Sequence, residues 1–197
     1  MQDKRKLKGQ KTRKRILDAA NRMIEKEGVQ AVSTRQIALL AGISQSSLYH
    51  HFKSADEIII SSMVERAKSN MSGLKVEQFT SLEEYLNALF AMVYQQVVKR
   101  GSGSYFSILE KARTNDEFRE EVMALGRGMK AQLVQHLELV AKRPLSPAKL
   151  EAVVFAFSMI REGLISHLQI YRDQSSFSDL KALAGVVFRL LAQYLET

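Results

Sequence analysis

At Ser33/Gln36, Ser54/Glu57 and Ser81/Glu84 this chain carries a serine followed three residues later by Glu or Gln and then by apolar residues at intervals of three and four. In such a pairing the hydroxyl takes a backbone N–H of the first helical turn while the longer side chain reaches back, so the spacing marks where a helix opens. Behind the three openings stand Ile37, Ala38 and Ala41, then Ile60, Met63, Val64, Ala67 and Met71, then Leu82, Leu86, Leu89, Phe90, Val93 and Val97. The rest of the chain has the same period. Thr12 to Glu27 puts Ile16, Ala20, Met23 and Ile24 on one stripe with Gly28 in the capping place, and a short helix is expected over Tyr105–Arg113 after a break at Gly101-Ser102-Gly103-Ser104. Asp116–Ala141 aligns Phe118, Val122, Leu125, Met129, Leu133 and Val140. Pro144 and Pro147 bracket a turn, with Ser146 placed to cap a helix whose first residue is proline. Strand-like alternation does not occur, so the expected fold is all-α with about nine helices.

Ser33 to Phe52 is the most telling part of that plan. A helix about two turns long stops at Gly42, Ser44 caps the next one, and Ile43, Leu48 and Phe52 turn inward, leaving Gln45, Ser46, Ser47, Tyr49 and His50 mostly outward. This is a helix-turn-helix pattern with a polar reading face. The charge supports it: residues 1–55 hold 12 Lys/Arg against 4 Asp/Glu, whereas residues 56–197 hold 17 of each sign, so the net +8 of the chain is local. A basic end on a neutral body is the footprint of a nucleic-acid or anionic-membrane contact, the alternative being a solvated tail. The expected division is a DNA-binding domain over 1–55, with a basic arm of Lys4, Arg5, Lys6, Lys8, Lys11, Arg13 and Lys14, and a helical domain over 56–197.

The chemistry of the outward residues follows from the major groove, whose base edges present distinct donor and acceptor patterns to a helix. The Gln45 amide can pair with adenine N6 and N7, and the short Ser46 and Ser47 allow close approach. Tyr49 and His50 can reach the backbone or a thymine methyl, His51 and Lys53 suit phosphates, and Arg35 suits guanine or a phosphate. Plainer roles compete: Thr34 as a cap, Tyr49 packed on the first helix, the histidines satisfying backbone groups. Adjacent His50 and His51 do not suit one metal ion, since helical ligands need a spacing of three or four, and His136 and His167 read as surface or core residues. No cofactor or metal is expected. An enzyme reading finds no nucleophile, base and orienting group at a motif spacing, and no Gly-rich phosphate loop.

The absence of cysteine fits a reducing compartment. No apolar run approaches the ~18 residues of a spanning segment, and residues 1–15 offer a membrane only Leu7. A soluble cytoplasmic protein is expected. Over Leu150–Tyr171 apolar residues cover two sides, with Val153, Val154, Phe157, Ile160, Leu164 and Leu168 on one and Phe155, Ala156 and Met159 on another, and Phe177–Leu195 is similar. A helix greasy on two faces lies at the centre of its body or meets a second subunit.

Residues 12–59 resemble the N-terminal domain of TetR-family transcriptional regulators. The likeness rests on Thr12-Arg13, Ile16-Leu17-Asp18-Ala19-Ala20, Gly28, Ile37-Ala38, Ala41-Gly42-Ile43-Ser44 and Leu48-Tyr49-His50-His51-Phe52-Lys53-Ser54 ahead of an acidic pair, while Ala55 stands where the family often has a phosphate-contacting lysine. The resemblance implies DNA contacts at Thr34, Arg35, Gln45, Ser47, Tyr49, His51 and Lys53. It implies a homodimer joined through the last two helices, binding double-stranded DNA at a palindromic operator, most often as a repressor. It also implies a small-molecule effector in a pocket among the middle helices, for which Phe90, Tyr94, Phe106, Met159, Arg161 and His167 are the candidates.

Overall fold

A computed structural model describes residues 2–100, 103–171 and 177–197, without the side chains of 2–5, 72, 99–100, 103–104 and 177. Among the described residues there are nine α-helices and no strand: α1 Gln2–Glu27, α2 Thr34–Ala41, α3 Gln45–Tyr49, α4 Ala55–Ser72, α5 Leu82–Arg100, α6 Gly103–Thr114, α7 Asp116–Ala141, α8 Pro147–Ile170 and α9 Phe177–Glu196. The chain forms two compact units, a head of Met1–Lys68 with Gly103–Leu125 and a body of Ser69–Ser102 with Gly126–Thr197. These units do not coincide with the 1–55 and 56–197 division, because Ile58 and Ile59 of α4, Ala112 of α6 and Phe118 of α7 are buried in the head.

The three capping pairs act as starts. Ser33 Oγ accepts the Gln36 N–H at 3.2 Å, Ser54 Oγ that of Glu57 at 3.1 Å and Ser81 Oγ that of Glu84 at 3.1 Å. The acids reach one residue further back than a strict box: Glu57 takes the Lys53 N–H and Glu84 takes both the N–H and the hydroxyl of Thr80. Those two bonds hold the Glu84 carboxyl below its ordinary range. Three expectations change. α1 begins at Gln2, not near Thr12. Ser146 makes no side-chain cap to α8, although Pro147 does occupy its first turn. Gly103 and Ser104 are helical rather than part of a break, and Gly101 and Ser102 lie outside the described residues.

In the head, Ile16, Leu17, Ala19, Ala20 and Met23 of α1 meet Ile37, Ala38, Ala41, Leu48, Phe52 and Ile58 in one cluster. Ile24, Val29, Ile59, Ala112 and Phe118 form another. The stripe expected on α4 is met in part: Met71 is buried and Ile60 and Met63 pack half-buried against the second cluster, but the fully buried residues of its first turns are Ile58, Ile59 and Ser62. Ser62 tolerates its burial by donating to the Ile59 carbonyl at 2.8 Å. Gly28 sits at φ 80°, where only glycine is unstrained, so that the following Val29 N–H can donate to Ser107 Oγ of α6 at 3.0 Å.

In the body, α5 packs with α8 and α9 around Tyr85, Leu86, Leu89, Phe90, Val153, Phe157 and Phe188, with Phe188 5.6 Å from Phe90 and 5.9 Å from Phe157 between ring centres. α8 is long and apolar enough to cross a bilayer by length and composition, contrary to the expectation that no segment would be. Its buried Leu150, Val153, Val154, Phe157, Leu164, Ile165 and Leu168 make it a core helix of this unit. Burial pushes the Tyr85 hydroxyl well above the ordinary tyrosine range, so it keeps its proton, and its oxygen is hydrogen-bonded with His136 Nδ1 at 3.0 Å. Desolvation also lowers the His136 pKa from 6.5. The neutral ring is thus favoured in the folded state. Its contribution is present above the ordinary histidine pKa and is lost as pH falls through the depressed one. Denaturant midpoints measured on either side of the histidine range should fall on acidification, and fall less in His136→Asn; equal falls in both proteins would remove His136 from the explanation.

Candidate nucleic-acid interface

The geometry of this region begins at the end of α2. Gly42 adopts φ 63°, ψ 43°, the left-handed conformation, and the chain closes with Gly42 N–H on the Leu39 carbonyl and Ile43 N–H on the Ala38 carbonyl, both at 3.0 Å. That paired closure satisfies carbonyls that a helix end leaves open, and it needs glycine at the left-handed site. Arg15 of α1 seals the turn from outside by donating to the Ala41 carbonyl and, at 3.3 Å, to that of Gly42. A side chain at residue 42 would also meet that guanidinium at 2.9 Å.

Ser44 then opens α3, its Oγ accepting the Ser47 N–H at 3.1 Å. Regular helix covers only Gln45–Tyr49, and the chain continues as a turn with His51 N–H and Phe52 N–H both on the Leu48 carbonyl. Leu48 and Phe52 are fully buried and hold α3 on the head from beneath. Arg35, Gln45, Ser46, Tyr49, His50 and Lys53 are exposed, and Thr34, Ser47 and His51 half-buried. All nine residues expected at the interface are thus at least partly accessible; Thr34 and Arg35 stand on α2, Gln45, Ser46, Ser47 and Tyr49 on α3, and His50, His51 and Lys53 in the turn that follows it.

A polar network links them. Thr34 Oγ1 lies 3.2 Å from Tyr49 Oη and accepts from Gln45 Nε2 at 3.3 Å, while Ser44 and Ser46 hydroxyls are 3.0 Å apart. Thr34 is accordingly no cap, that place belonging to Ser33, and Tyr49 is half exposed with its hydroxyl on Thr34. The first residue of α2 orients two side chains of α3. One N–H and the carbonyl oxygen of the Gln45 amide remain for an adenine edge.

The basic arm divides by role. Lys6, Lys8 and Lys11 are exposed in α1, and Lys14 lies 3.9 Å from Asp18. The backbone of Lys4 and Arg5 is helical, and their side chains lie outside the described residues. Arg13 does not project. Its guanidinium sits 4.2 Å above the Phe52 ring and donates to Ser61 Oγ at 3.2 Å and to the His51 carbonyl at 3.5 Å. It is a positioning residue that fixes the end of α3. The equally structural Arg15 escaped sequence reasoning, which counted it only as charge; its place next to Ile16, the first buried residue of α1, is the signal that it borders the packed face.

The effector candidates stand in different local environments of the two units. Phe90 is buried in the body core with Tyr94 packed against that core, and His167 lies against Tyr171 at 4.8 Å between ring centres. Arg161 pairs with Glu162 at 3.2 Å and has a buried Nε without a partner. Met159 stands on the exposed side of α8, and Phe106 belongs to the head. Two grooves of the body contain none of the six. One of about 460 Å³ is lined by Phe79, Glu83, Asn87 and Lys181, and one of about 640 Å³ by Arg127, Lys130, Glu151 and Phe155. The second apolar side of α8 and α9 is open to solvent, with Phe155, Met159, Leu183, Val186, Leu190 and Tyr194 between 46% and 69% exposed. No group of three or more potential metal ligands occurs among the described residues.

Comparison with known proteins places this geometry. Residues 16–61 match the family described as bacterial regulatory proteins, tetR family. The chain is 36% identical over 77 residues to the HTH-type transcriptional regulator AcrR of Shigella flexneri, covering 39% of this chain and 35% of that protein. It is 25% identical over 144 residues to the HTH-type transcriptional regulator BetI of Rhizobium meliloti, covering 69% and 66%. The alignments thus span from about a third to about two thirds of these relatives. The crystal structure of the transcriptional regulator FadR from Bacillus subtilis, in complex with stearoyl-CoA, superposes with a TM-score of 0.69 at 20% identity over 91% of this chain and 97% of that one.

Proposed function

We propose, from the match of residues 16–61 to the family described as bacterial regulatory proteins, tetR family, that this chain is a member of that family and a cytoplasmic, dimeric, ligand-responsive repressor that reads a palindromic operator with α3. The observation that carries the reading is the two-sidedness of the Gln45–Phe52 segment. Leu48 and Phe52 are buried beneath it, and Gln45, Ser46, Tyr49 and His50 stand exposed above. A short helix anchored from below and polar on top is the form a major groove admits. Gln45 specifies adenine, Ser46, Ser47, Tyr49 and His50 complete the base and sugar contacts, and Thr34, Arg35, His51 and Lys53 hold phosphates. The relatives are transcriptional regulators rather than enzymes.

Two reading heads must fit half-sites about 34–36 Å apart, which requires a twofold pair of chains. The exposed row of Phe155, Met159, Leu183, Val186, Leu190 and Tyr194 supplies an apolar surface for that pairing. FadR holds stearoyl-CoA. By analogy a small apolar or amphipathic molecule enters the body here, with Arg161 and its unpartnered Nε as the polar anchor.

The test is a selection from random duplexes followed by titration of the winner. Gln45→Ala with Tyr49→Ala should cut the preference for the selected site over mixed sequence by about 2–6 kcal/mol, at ~1–3 kcal/mol per lost contact, while leaving non-specific binding nearly intact. An unaltered preference in the double variant would sink the proposed role of α3.

A further inference from the structure

Two side chains of α6 are bonded to the connections on either side of the helix-turn-helix. Ser107 and Lys111 stand four residues apart, so they share one face of that helix. Ser107 Oγ accepts the N–H of Val29, in the connection that leads into α2, at 3.0 Å. Lys111 Nζ donates to Asp56 Oδ1, in the first turn of α4, at 2.6 Å. The stretch between Val29 and Asp56, which holds α2 and α3 with their turns, is therefore gripped at both ends by one helix distant in the sequence.

Both contacts are closely packed. Val29 is 1% exposed, and a side chain at residue 28 would crowd Ser107 Cβ and Oγ at 3.2 Å. The Lys111 and Asp56 side chains are 19% and 33% exposed, and the ammonium lies 5.2 Å over the ring of the buried Phe118. Salt screens so enclosed a pair weakly, and the ring restricts the lysine from another side. Asp56 also stands in an acidic field, for desolvation and the charges of Glu117, Asp56 and Glu57 hold the Glu121 carboxyl above its ordinary range. Without Lys111, a half-buried carboxylate would face those acids unpaired. From Asp56 back to the reading helix the chain is tied at each step. Glu57 takes the Lys53 N–H at 2.6 Å, Ser54 Oγ takes the Glu57 N–H at 3.1 Å, and the His51 and Phe52 N–H groups close on the Leu48 carbonyl. A displacement of Asp56 passes through that capped turn to Lys53 and the end of α3.

We propose that Ser107 and Lys111 are positioning residues for DNA reading, a two-point clamp that holds both ends of the helix-turn-helix on α6 and so sets the angle at which α3 is presented. The proposal rests on α3 reading DNA and adds that its aim is set by a helix carrying none of the residues expected at the interface. Phosphate contacts tolerate a change of aim, because a long cationic side chain can follow a charge, whereas base contacts need several side chains in register at once. Loss of the clamp therefore lowers discrimination at every position of the site together, while loss of a base contact lowers it at one.

Full-length wild type, Lys111→Arg, Lys111→Met and Lys111→Met/Asp56→Asn test it. Each is titrated onto the selected duplex, onto its single-base variants and onto mixed sequence, with denaturant midpoints measured alongside. Lys111→Met should reduce the ratio of selected to mixed-sequence affinity by about tenfold, the scale of one mismatched base pair, with the preferred base at each position kept. Lys111→Arg, which retains the pair, should stay near wild type. The double variant removes both charges, so its midpoint should return toward wild type while its ratio stays as low as that of Lys111→Met; the lost Asp56 charge raises affinity for both duplexes alike and cancels in the ratio. A ratio that recovers with the midpoint would make the pair structural only and overturn the positioning role, as would an unchanged ratio in Lys111→Met or a loss confined to one base position. Ser107→Ala should lower the ratio more in the Lys111→Met background than in wild type, because either point alone still holds; equal steps in the two backgrounds would overturn the clamp. Failure of the underlying reading appears separately, as a wild-type protein that prefers no selected duplex over mixed sequence.

Discussion

Phe52→Ala should lower the stability of the head by about 3–5 kcal/mol, the range for deleting a buried aromatic side chain, and remove sequence-specific DNA binding with it. Phe52 is 1% exposed and lies in one cluster with Ile16, Leu17, Ala20, Ile37, Leu48 and Ile58. It also carries the Arg13 guanidinium on its ring. Truncation opens a cavity in the cluster that residues of α1, α2, α3 and α4 share, and it leaves Arg13 over a void. Phe52→Leu retains most of the apolar volume but not the ring, so its smaller loss measures the cation contact. Hydrogen exchange of the Leu48 and Phe52 amides, both bonded to carbonyls of the α3 region, reports the head independently of the body. Protection in Phe52→Ala equal to wild type would contradict the packing described here.

The second large effect concerns assembly. Phe155→Asp combined with Leu190→Asp places carboxylates on side chains that are 65% and 60% exposed in the single chain, so each protomer should fold as before. If the exposed row of α8 and α9 is the twofold contact, mass measured by light scattering should halve. Operator affinity should then fall by about 10²–10⁴-fold, because two linked heads become two independent ones. A double variant that stays dimeric at unchanged mass would place the pairing surface elsewhere. Lysine substitutions at the same positions should act alike, since it is the burial of any charge that the interface refuses.

How much of this was legible before any coordinates depended on how local the information was. Ser33, Gly42 and Ser44 each act within four residues, and the sequence alone located both ends of α2 and the start of α3. The inward set of Leu48 and Phe52 and the outward set of Gln45, Tyr49 and His50 followed from one helical period. On α4 the same reasoning chose Ile60 and Met63, which pack half-buried against the head, and missed the fully buried Ile58 and Ile59. A helix with apolar residues on adjacent positions has two admissible faces, and only the neighbour selects one. The basic arm shows the same limit. Charge counting treats Arg13, Lys14 and Arg15 alike, whereas the fold draws Arg13 onto Phe52, sets Arg15 against the Ala41 and Gly42 carbonyls and leaves Lys14 beside Asp18 in solvent.

The chain's own residues therefore determined the helical class, the capped starts, the turn at Gly42 and the surplus of positive charge at one end, since each depends on bonds or periods spanning a few residues. Tertiary structure alone decided which residues of α4 are fully buried, that Thr34 orients Gln45 and Tyr49 instead of capping, and that Phe90 is buried in the body core while Met159 is exposed. Those outcomes turn on contacts between residues distant in the chain, whose partners compete for the same side chain, and no count of nearest neighbours along the sequence contains the result of that competition.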